Sequence, residues 1–205
     1  MRPYNDEAGD WRGLDSESEA PRYAAIAQAL RDFRVDRNVL DVGCGMAVLR
    51  SYLPGDANYT GIEPSTTAVR MAVERNASVR IIHSRAERFD APGGFFDSVV
   101  FNEMLYYTLD PVGLLRKYAS LLRRDGVILC SIYQNPSSLF LRRRLWHWLD
   151  RRRPISCIHC EKMVRAFMTR ENWSILDDRS VGPAGGSSKW HIWLAAPPRS
   201  RPQES

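Results

Sequence analysis

A short apolar segment followed directly by a glycine turn is the feature of this chain that most restricts its possible folds. Residues 39–45 read Val-Leu-Asp-Val-Gly-Cys-Gly, which predicts a buried β-strand followed at once by a tight loop. Glycines in such a loop let the backbone approach a ligand that a Cβ atom would keep away. We expect a helix over residues 46–53, directly after the loop. The segment predicts the first strand, loop and helix of a nucleotide-binding α/β fold.

A second acidic residue lies on the next predicted strand. Residues 59–63 form an apolar run that ends in Glu63. In nucleotide-binding α/β folds, an acidic residue about 20 positions after the glycine loop accepts hydrogen bonds from ribose hydroxyls. Glu63 and the glycine loop together indicate an adenosine-containing cofactor.

The chemistry of the loop distinguishes between such cofactors. The dinucleotide fingerprint is Gly-x-Gly-x-x-Gly, and Val48 stands where its last glycine should be. Asp41 precedes the loop, where a carboxylate would repel a pyrophosphate but suit a cationic ligand. S-adenosylmethionine carries a sulfonium and an ammonium and has no phosphate. The local charge therefore favours S-adenosylmethionine over NAD.

Five segments carry motifs in a fixed order: residues 39–47, 61–65, 83–87, 96–107 and 121–129. In content and order they resemble the class I S-adenosylmethionine-dependent methyltransferases. The resemblance implies S-adenosylmethionine as the donor and S-adenosylhomocysteine as the product. It also implies a set of cofactor-binding residues: Asp41, Gly43, Cys44, Gly45, Glu63, Pro64, Ala86, Glu87 and Asn102.

Two positions depart from the pattern of that family. Ala47 stands where the family often has a third glycine, and Ala is small enough for binding to survive. Arg85 stands where an Asp often contacts the adenine amino group, and the backbone around Ala86 offers another contact.

Predicted strands and helices alternate along most of the chain. The expected strands are residues 37–42, 58–62, 79–83, 96–102 and 126–133, followed by an antiparallel pair at 173–180 and 189–196. The expected helices are residues 20–33, 46–53, 65–76 and 110–124. Such alternation predicts a parallel sheet that binds ligand beyond the carboxyl ends of its strands. We expect a Rossmann-like, doubly wound α/β fold, with a mostly parallel seven-stranded sheet and helices on both faces.

A length of 205 residues is typical of one α/β domain. We expect five parts within it: an N-terminal lid (1–33), a cofactor-binding core (34–135), a substrate cap insertion (136–168), the last two strands (169–196) and a disordered tail (197–205). In the cap, Arg142–Arg144 and Arg151–Arg153 flank two tryptophans.

Composition narrows the class of protein. No apolar run approaches the ~18 residues of a membrane span, and the N-terminus does not resemble a signal peptide. We therefore expect a cytoplasmic protein without a membrane partner. Cys157 and Cys160 have no second Cys/His pair at a suitable spacing, so we expect no metal site. The net charge of +5 comes mostly from arginines and fits either a compositional bias or an anionic partner.

The candidates for a catalytic role are few. Methyl transfer is an in-line displacement, and positioning alone can supply roughly 7–11 kcal/mol of its barrier. Tyr106 and Tyr107 follow the fourth strand, beside the expected methyl position, where they either act chemically or wall the pocket. His147 is a base if it faces the pocket and a surface residue if it does not. Glu103 either holds an amine or hydroxyl or caps the next turn.

Three functions remain open. The first is a metal-independent methyltransferase acting on an O or N atom of a small molecule, such as an anionic, aromatic or glycosylated natural product. The second is an RNA-directed methyltransferase that uses the arginine-rich cap, and the third is a binding protein that has lost turnover. No separate RNA-binding module is visible in the sequence, which favours a small-molecule substrate. An acidic carrier protein that bears the substrate is a further alternative for the arginines.

Overall fold

One seven-stranded sheet organises the part of the chain that the computed structural model describes, residues 11–134, 155–182 and 189–198. Its strands are β1 (Asn38–Val42), β2 (Asn58–Glu63), β3 (Arg80–His83), β4 (Phe96–Asn102), β5 (Leu122–Gln134), β6 (Ser174–Val181) and β7 (Lys189–Ala196). Their spatial order is β3-β2-β1-β4-β5-β7-β6. Strands β1 to β5 run parallel, and β7 is antiparallel to both of its neighbours. The predicted fold class is confirmed.

Among the described residues, four α-helices cover the two faces of the sheet: α1 (Ala20–Asp32), α2 (Thr66–Arg75), α3 (Pro111–Ala119) and α4 (Cys157–Arg170). Short 3-10 helices lie at Trp11–Asp15, Val48–Tyr52 and Leu105–Tyr107. Helices α1 and α2 share one apolar cluster with Val100, while α3 and α4 share the other with Val99 and Phe101. Adjacent residues of β4 therefore point to opposite faces, as the two-residue repeat of a strand requires.

The segment after the glycine loop differs from the prediction. Residues 46–53 were expected to form a helix, but only the 3-10 helix Val48–Tyr52 is present there. Gly45 and Ala47 both have φ of 54°, in the left-handed region. These residues form a turn, so the helix cannot begin before Val48 and is shorter than expected.

The boundary between α3 and β5 also lies earlier than predicted. The helix was expected to reach residue 124, whereas α3 ends at Ala119 and β5 begins at Leu122. Leu122 pairs with Phe96 of β4, and the register shifts between Phe96 and Ser98. Pairing with β4 overrides the local helical pattern of Leu121 and Leu122.

Helix α4 begins inside the segment predicted as a substrate cap. Residues 157–168 of that segment pack against α3 and β5. The helix buries Cys160, Val164, Phe167 and Met168, whose spacing of four, three and one residues defines a single apolar face. His147, both arginine triplets and residues 136–154 of the predicted cap lie outside the described residues.

The described residues contain no helix that is both long enough and apolar enough to pass through a bilayer.

Asp110 should be a measurable stabiliser of α3. Its Oδ1 accepts a hydrogen bond from the backbone N–H of Gly113 at 2.7 Å, and Pro111 opens the helix. Asp110→Ala removes this cap and should lower the free energy of unfolding by about 1 kcal/mol in urea titrations. Asp110→Asn keeps an accepting oxygen and is the matched control, with a smaller expected loss. Equal stability of the alanine variant and the wild type would show that the cap contributes nothing.

Candidate functional site

A cavity of about 530 Å³ opens where the carboxyl ends of the parallel strands meet. Its wall contains eight of the nine residues predicted to bind the cofactor: Gly43, Cys44, Gly45, Glu63, Pro64, Ala86, Glu87 and Asn102. Helix α1 adds Arg22 and Tyr23, while Tyr133 and Trp190 come from β5 and β7. The volume lies within the range of small-molecule sites, roughly 300–1,000 Å³.

The glycine loop is held against the end of β2. The backbone N–H groups of Gly43 and Cys44 donate to the carbonyl of Ile62, with N···O distances of 2.8 and 3.1 Å. Gly43 has φ of 73°, and a Cβ atom there would lie 2.9 Å from the Cβ of Met104. Both the conformation and the close approach require glycine at this position.

Glu63 connects the loop to the start of α2. Its Oε2 accepts from the N–H of Gly45 at 3.0 Å, and its Oε1 accepts from the N–H of Ser65 at 2.8 Å. The residue is 3% exposed and lines the cavity. A carboxylate oxygen can accept more than one hydrogen bond. The chemistry of the carboxylate thus suits a hydroxyl-bearing ligand.

Asp41 does not line the cavity, although direct contact with the cofactor was expected. The residue lies within β1, where its Oδ2 accepts from the hydroxyl of Tyr59 at 2.8 Å. Its Oδ1 has no hydrogen-bond partner within the described part of the chain. Burial raises the pKa of Asp41 to about 7; Glu63 adds to this rise, and Tyr59 and Arg22 oppose it. Asp41 therefore keeps its proton below about pH 7, and its hydrogen bond with Tyr59 joins β1 to β2.

Sequence reasoning missed Arg22. This arginine is 3% exposed, and its guanidinium lies 2.8 Å from Glu19 and 3.7 Å from Glu103. Its Nε atom is buried, with no hydrogen-bond partner among the residues that the structure describes. The rings of Tyr23 and Trp190 lie 4.7 and 5.2 Å from the guanidinium carbon.

The environment of Arg22 keeps the side chain charged. Burial by itself would lower the pKa of Arg22, but the neighbouring Tyr23, Glu103 and Glu19 outweigh burial and raise it. The sequence could have indicated the burial of Arg22, because Arg22 lies four residues before Ile26 and therefore on the apolar face of α1. A charge on that face indicates a partner or a ligand.

The two tyrosines named as catalytic candidates differ in exposure. Tyr106 is buried, and its hydroxyl donates to Oε2 of Glu103 at 2.8 Å. Tyr107 is 40% exposed at the cavity rim, and its ring centroid lies 4.8 Å from that of Tyr106. The third candidate, His147, lies outside the described residues.

Three other predicted residues form hydrogen bonds with residues distant in sequence. Asn102 accepts at its Oδ1 from the hydroxyl of Ser131 at 2.7 Å. Glu87 accepts from the hydroxyl of Thr108 at 3.2 Å, and the carbonyl of Ala86 accepts from Tyr118 at 2.9 Å. Within residues 11–134, 155–182 and 189–198, no three His, Cys, Asp or Glu side chains are grouped so as to hold a metal ion.

Comparison with known families gives the class of protein. The model of the methyltransferase domain family matches residues 17–176. The chain therefore belongs to this family, and the predicted class, the class I S-adenosylmethionine-dependent methyltransferases, is confirmed.

Curated relatives give a narrower comparison. The chain is 36% identical over 110 residues to the ubiquinone biosynthesis O-methyltransferase of Aromatoleum aromaticum, which covers 47% of each protein. The enzyme of the same name from Vibrio parahaemolyticus is 33% identical over 142 residues, 64% of this chain and 60% of the relative. The chain spans about half the length of the curated relatives it matches.

Solved structures share the fold at low sequence identity. The N-methyltransferase NodS from Bradyrhizobium japonicum, in complex with S-adenosylhomocysteine, has a TM-score of 0.72 at 16% identity, covering 94% of this chain and 95% of NodS. The [4+2]-cyclase SpnF has a TM-score of 0.63 at 16% identity, covering 86% of this chain and 81% of SpnF. One fold therefore supports more than one reaction, so the reaction must be argued from the site.

The pKa of Asp41 predicts how stability depends on pH. Between about pH 4 and pH 7 the folded protein keeps a proton that the unfolded chain releases, so its free energy of unfolding falls as the pH rises. One pKa unit corresponds to about 1.4 kcal/mol, so the full difference is on the order of 4 kcal/mol.

Asp41→Asn cannot titrate and should lose less stability than the wild type between about pH 4.5 and pH 7.5 in urea unfolding. Asp56→Asn, at an exposed position, is the control for a general aspartate effect. Identical pH dependence in the wild type and the Asp41 variant would contradict the assigned protonation.

Proposed function

We propose that this chain transfers the methyl group of S-adenosylmethionine to an oxygen or nitrogen atom of a small molecule, without a metal ion. The observation that carries the proposal is the single cavity that joins the glycine loop and Glu63 to the aromatic residues Tyr133 and Trp190. The cavity therefore combines polar groups suited to a donor with aromatic surface suited to an acceptor. Relatives named as O-methyltransferases and a solved N-methyltransferase of the same fold support both kinds of acceptor atom.

The residues at the strand ends fit the donor in a definite order. The strand order β3-β2-β1-β4 puts the loop with Ala86 and Glu87 beside the end of β2, and the glycine loop beyond it. In the proposed arrangement the adenine contacts the loop after β3, and Glu63 accepts the ribose hydroxyls. The sulfonium then lies over the glycine loop and faces the residues after β4.

Arg22 fits the amino-acid end of the donor. Its cation is buried against the cavity, and its Nε has no hydrogen-bond partner among residues 11–134, 155–182 and 189–198. Arginine binds carboxylates through paired, charge-assisted hydrogen bonds. A donor that carries both a carboxylate and cationic groups matches a cavity that combines this arginine with several acidic residues.

The residues of the cavity act mainly by positioning. When bound, S-adenosylmethionine supplies an electrophilic methyl group on a positively charged sulfur. The glycine loop allows close approach, Glu63 holds the ribose of the donor and Arg22 holds its carboxylate, and Tyr106 excludes water beside the acceptor. Holding the reacting atoms in line can account for roughly 7–11 kcal/mol of the barrier.

The decisive experiment combines donor binding with methyl transfer. The purified protein is titrated calorimetrically with S-adenosylhomocysteine, and then incubated with donor labelled in its methyl group and a metabolite extract. We expect binding, and label in the low-molecular-mass fraction. Gly43→Val is the negative control, because its side chain would collide with Met104 and close the donor site.

Two results would contradict the proposal. Label transferred to added total RNA but not to the metabolite extract would favour the nucleic-acid substrate. Donor binding with no label transfer to any fraction would indicate a protein that keeps the site without this reaction.

Arg22 allows a ligand-specific test of the donor orientation. Arg22→Met should weaken binding of S-adenosylhomocysteine by about tenfold or more, since a hydrogen bond to a charged group contributes about 1.5–3 kcal/mol. Binding of 5′-methylthioadenosine, which lacks the amino-acid part, should change little. Arg22→Lys keeps the charge and should lie between the wild type and the methionine variant. Equal weakening of both ligands would assign Arg22 a purely structural role.

A further inference from the structure

Glu103 has a backbone conformation that residues other than glycine rarely adopt. Its φ is 59°, in the left-handed region. It directly follows Asn102, the last residue of β4, and its N–H donates to the carbonyl of Ser131 at 3.2 Å. Residues held in such conformations concentrate at active sites, where the surrounding structure imposes the geometry.

The side chain of Glu103 is fixed within the cavity wall. It is 16% exposed, and its Oε2 accepts from the hydroxyl of Tyr106 at 2.8 Å. The guanidinium of Arg22 lies 3.7 Å from the same oxygen. The carboxylate is therefore oriented by contacts from two elements, α1 and the segment after β4.

The other carboxylates of the cavity wall lie on other segments of the chain. Glu63 binds backbone N–H groups of the glycine loop and α2, and Glu19 pairs with Arg22 at 2.8 Å. Glu87 lies on the loop after β3, the edge strand of the sheet, and accepts from the hydroxyl of Thr108 at 3.2 Å. No histidine lines the cavity among the residues the structure describes. Glu103 is thus the carboxylate that combines a rigid position with a place at the end of β4.

We infer that Glu103 binds the O–H or N–H group of the acceptor and takes its proton during the transfer; this rests on the proposed function. A lone pair of the acceptor oxygen or neutral nitrogen forms the new bond to the methyl carbon. The bond between carbon and sulfur breaks, and its electron pair stays on sulfur, which becomes a neutral thioether. The proton of the acceptor passes to the Glu103 carboxylate and leaves to solvent when the product departs.

Glu103→Gln tests this role, because the amide keeps the shape of the side chain but cannot accept the proton at this step. Initial rates of label transfer are compared with the wild type in the same metabolite extract, and affinity for S-adenosylhomocysteine is measured calorimetrically. General bases contribute about 100-fold to 10,000-fold, so the rate should fall by about 100-fold or more. The affinity for S-adenosylhomocysteine should stay within about threefold, since Glu103 is assigned to the acceptor.

Glu19→Gln is the matched control, since it makes the same chemical change beside the same arginine. It should lower the rate far less than Glu103→Gln. Glu103→Asp keeps an acidic group on a shorter side chain and should retain part of the rate. If the glutamine variant fails to fold, as judged by circular dichroism, a rate of the aspartate variant equal to that of the wild type overturns the inference.

Three further results would overturn it. A rate of Glu103→Gln within about threefold of the wild type would exclude a role in proton transfer. Equal losses of rate and of S-adenosylhomocysteine affinity would assign Glu103 to the donor. Equal rate losses in the Glu19 and Glu103 variants would show that both act only through Arg22. Absence of transfer by the wild type would instead remove the proposed function, and this role with it.

Discussion

The end of β2 holds the site together. Ile62 accepts two backbone hydrogen bonds from the glycine loop, and Glu63 accepts one from Gly45 and another from Ser65. These bonds join the end of β1, the loop and the start of α2 into one rigid unit. Because the loop forms the floor of the cavity, its shape depends on this junction. The same carboxylate is thus both a structural acceptor and the proposed partner of the ribose.

Positively and negatively charged side chains lie close together around the cavity. Arg22 is a buried cation that faces Glu19 and Glu103, while Asp41 lies behind the glycine loop with a pKa near 7. Buried charges are costly unless they are paired. A donor with a carboxylate at one end and a sulfonium between its parts would supply partners for both signs. We interpret the Nε of Arg22, which lacks a hydrogen-bond partner in the described part of the chain, as part of this complementarity.

The regular strands of the fold could be predicted from the sequence, whereas features that depend on unusual backbone angles or long-range packing could not. Val39–Val42 and Glu63 could be assigned to the site because an apolar strand that ends in glycines or in an acidic residue is typical of a ligand-binding strand end. The 3-10 helix at Val48–Tyr52 was missed because the positive φ of Ala47 leaves no mark in composition. Arg22 was missed because its burial depends on the packing of α1 against β7. The early start of β5 depends on long-range pairing with Phe96.

The most direct measurement is a crystal structure of the protein with S-adenosylhomocysteine bound. Our account predicts ribose hydroxyls within hydrogen-bonding distance of Glu63 and the ligand carboxylate beside Arg22. It also predicts that the sulfur faces the space bounded by Glu103 and Tyr106. A ligand bound outside this cavity, or one whose ribose does not reach Glu63, would contradict the account.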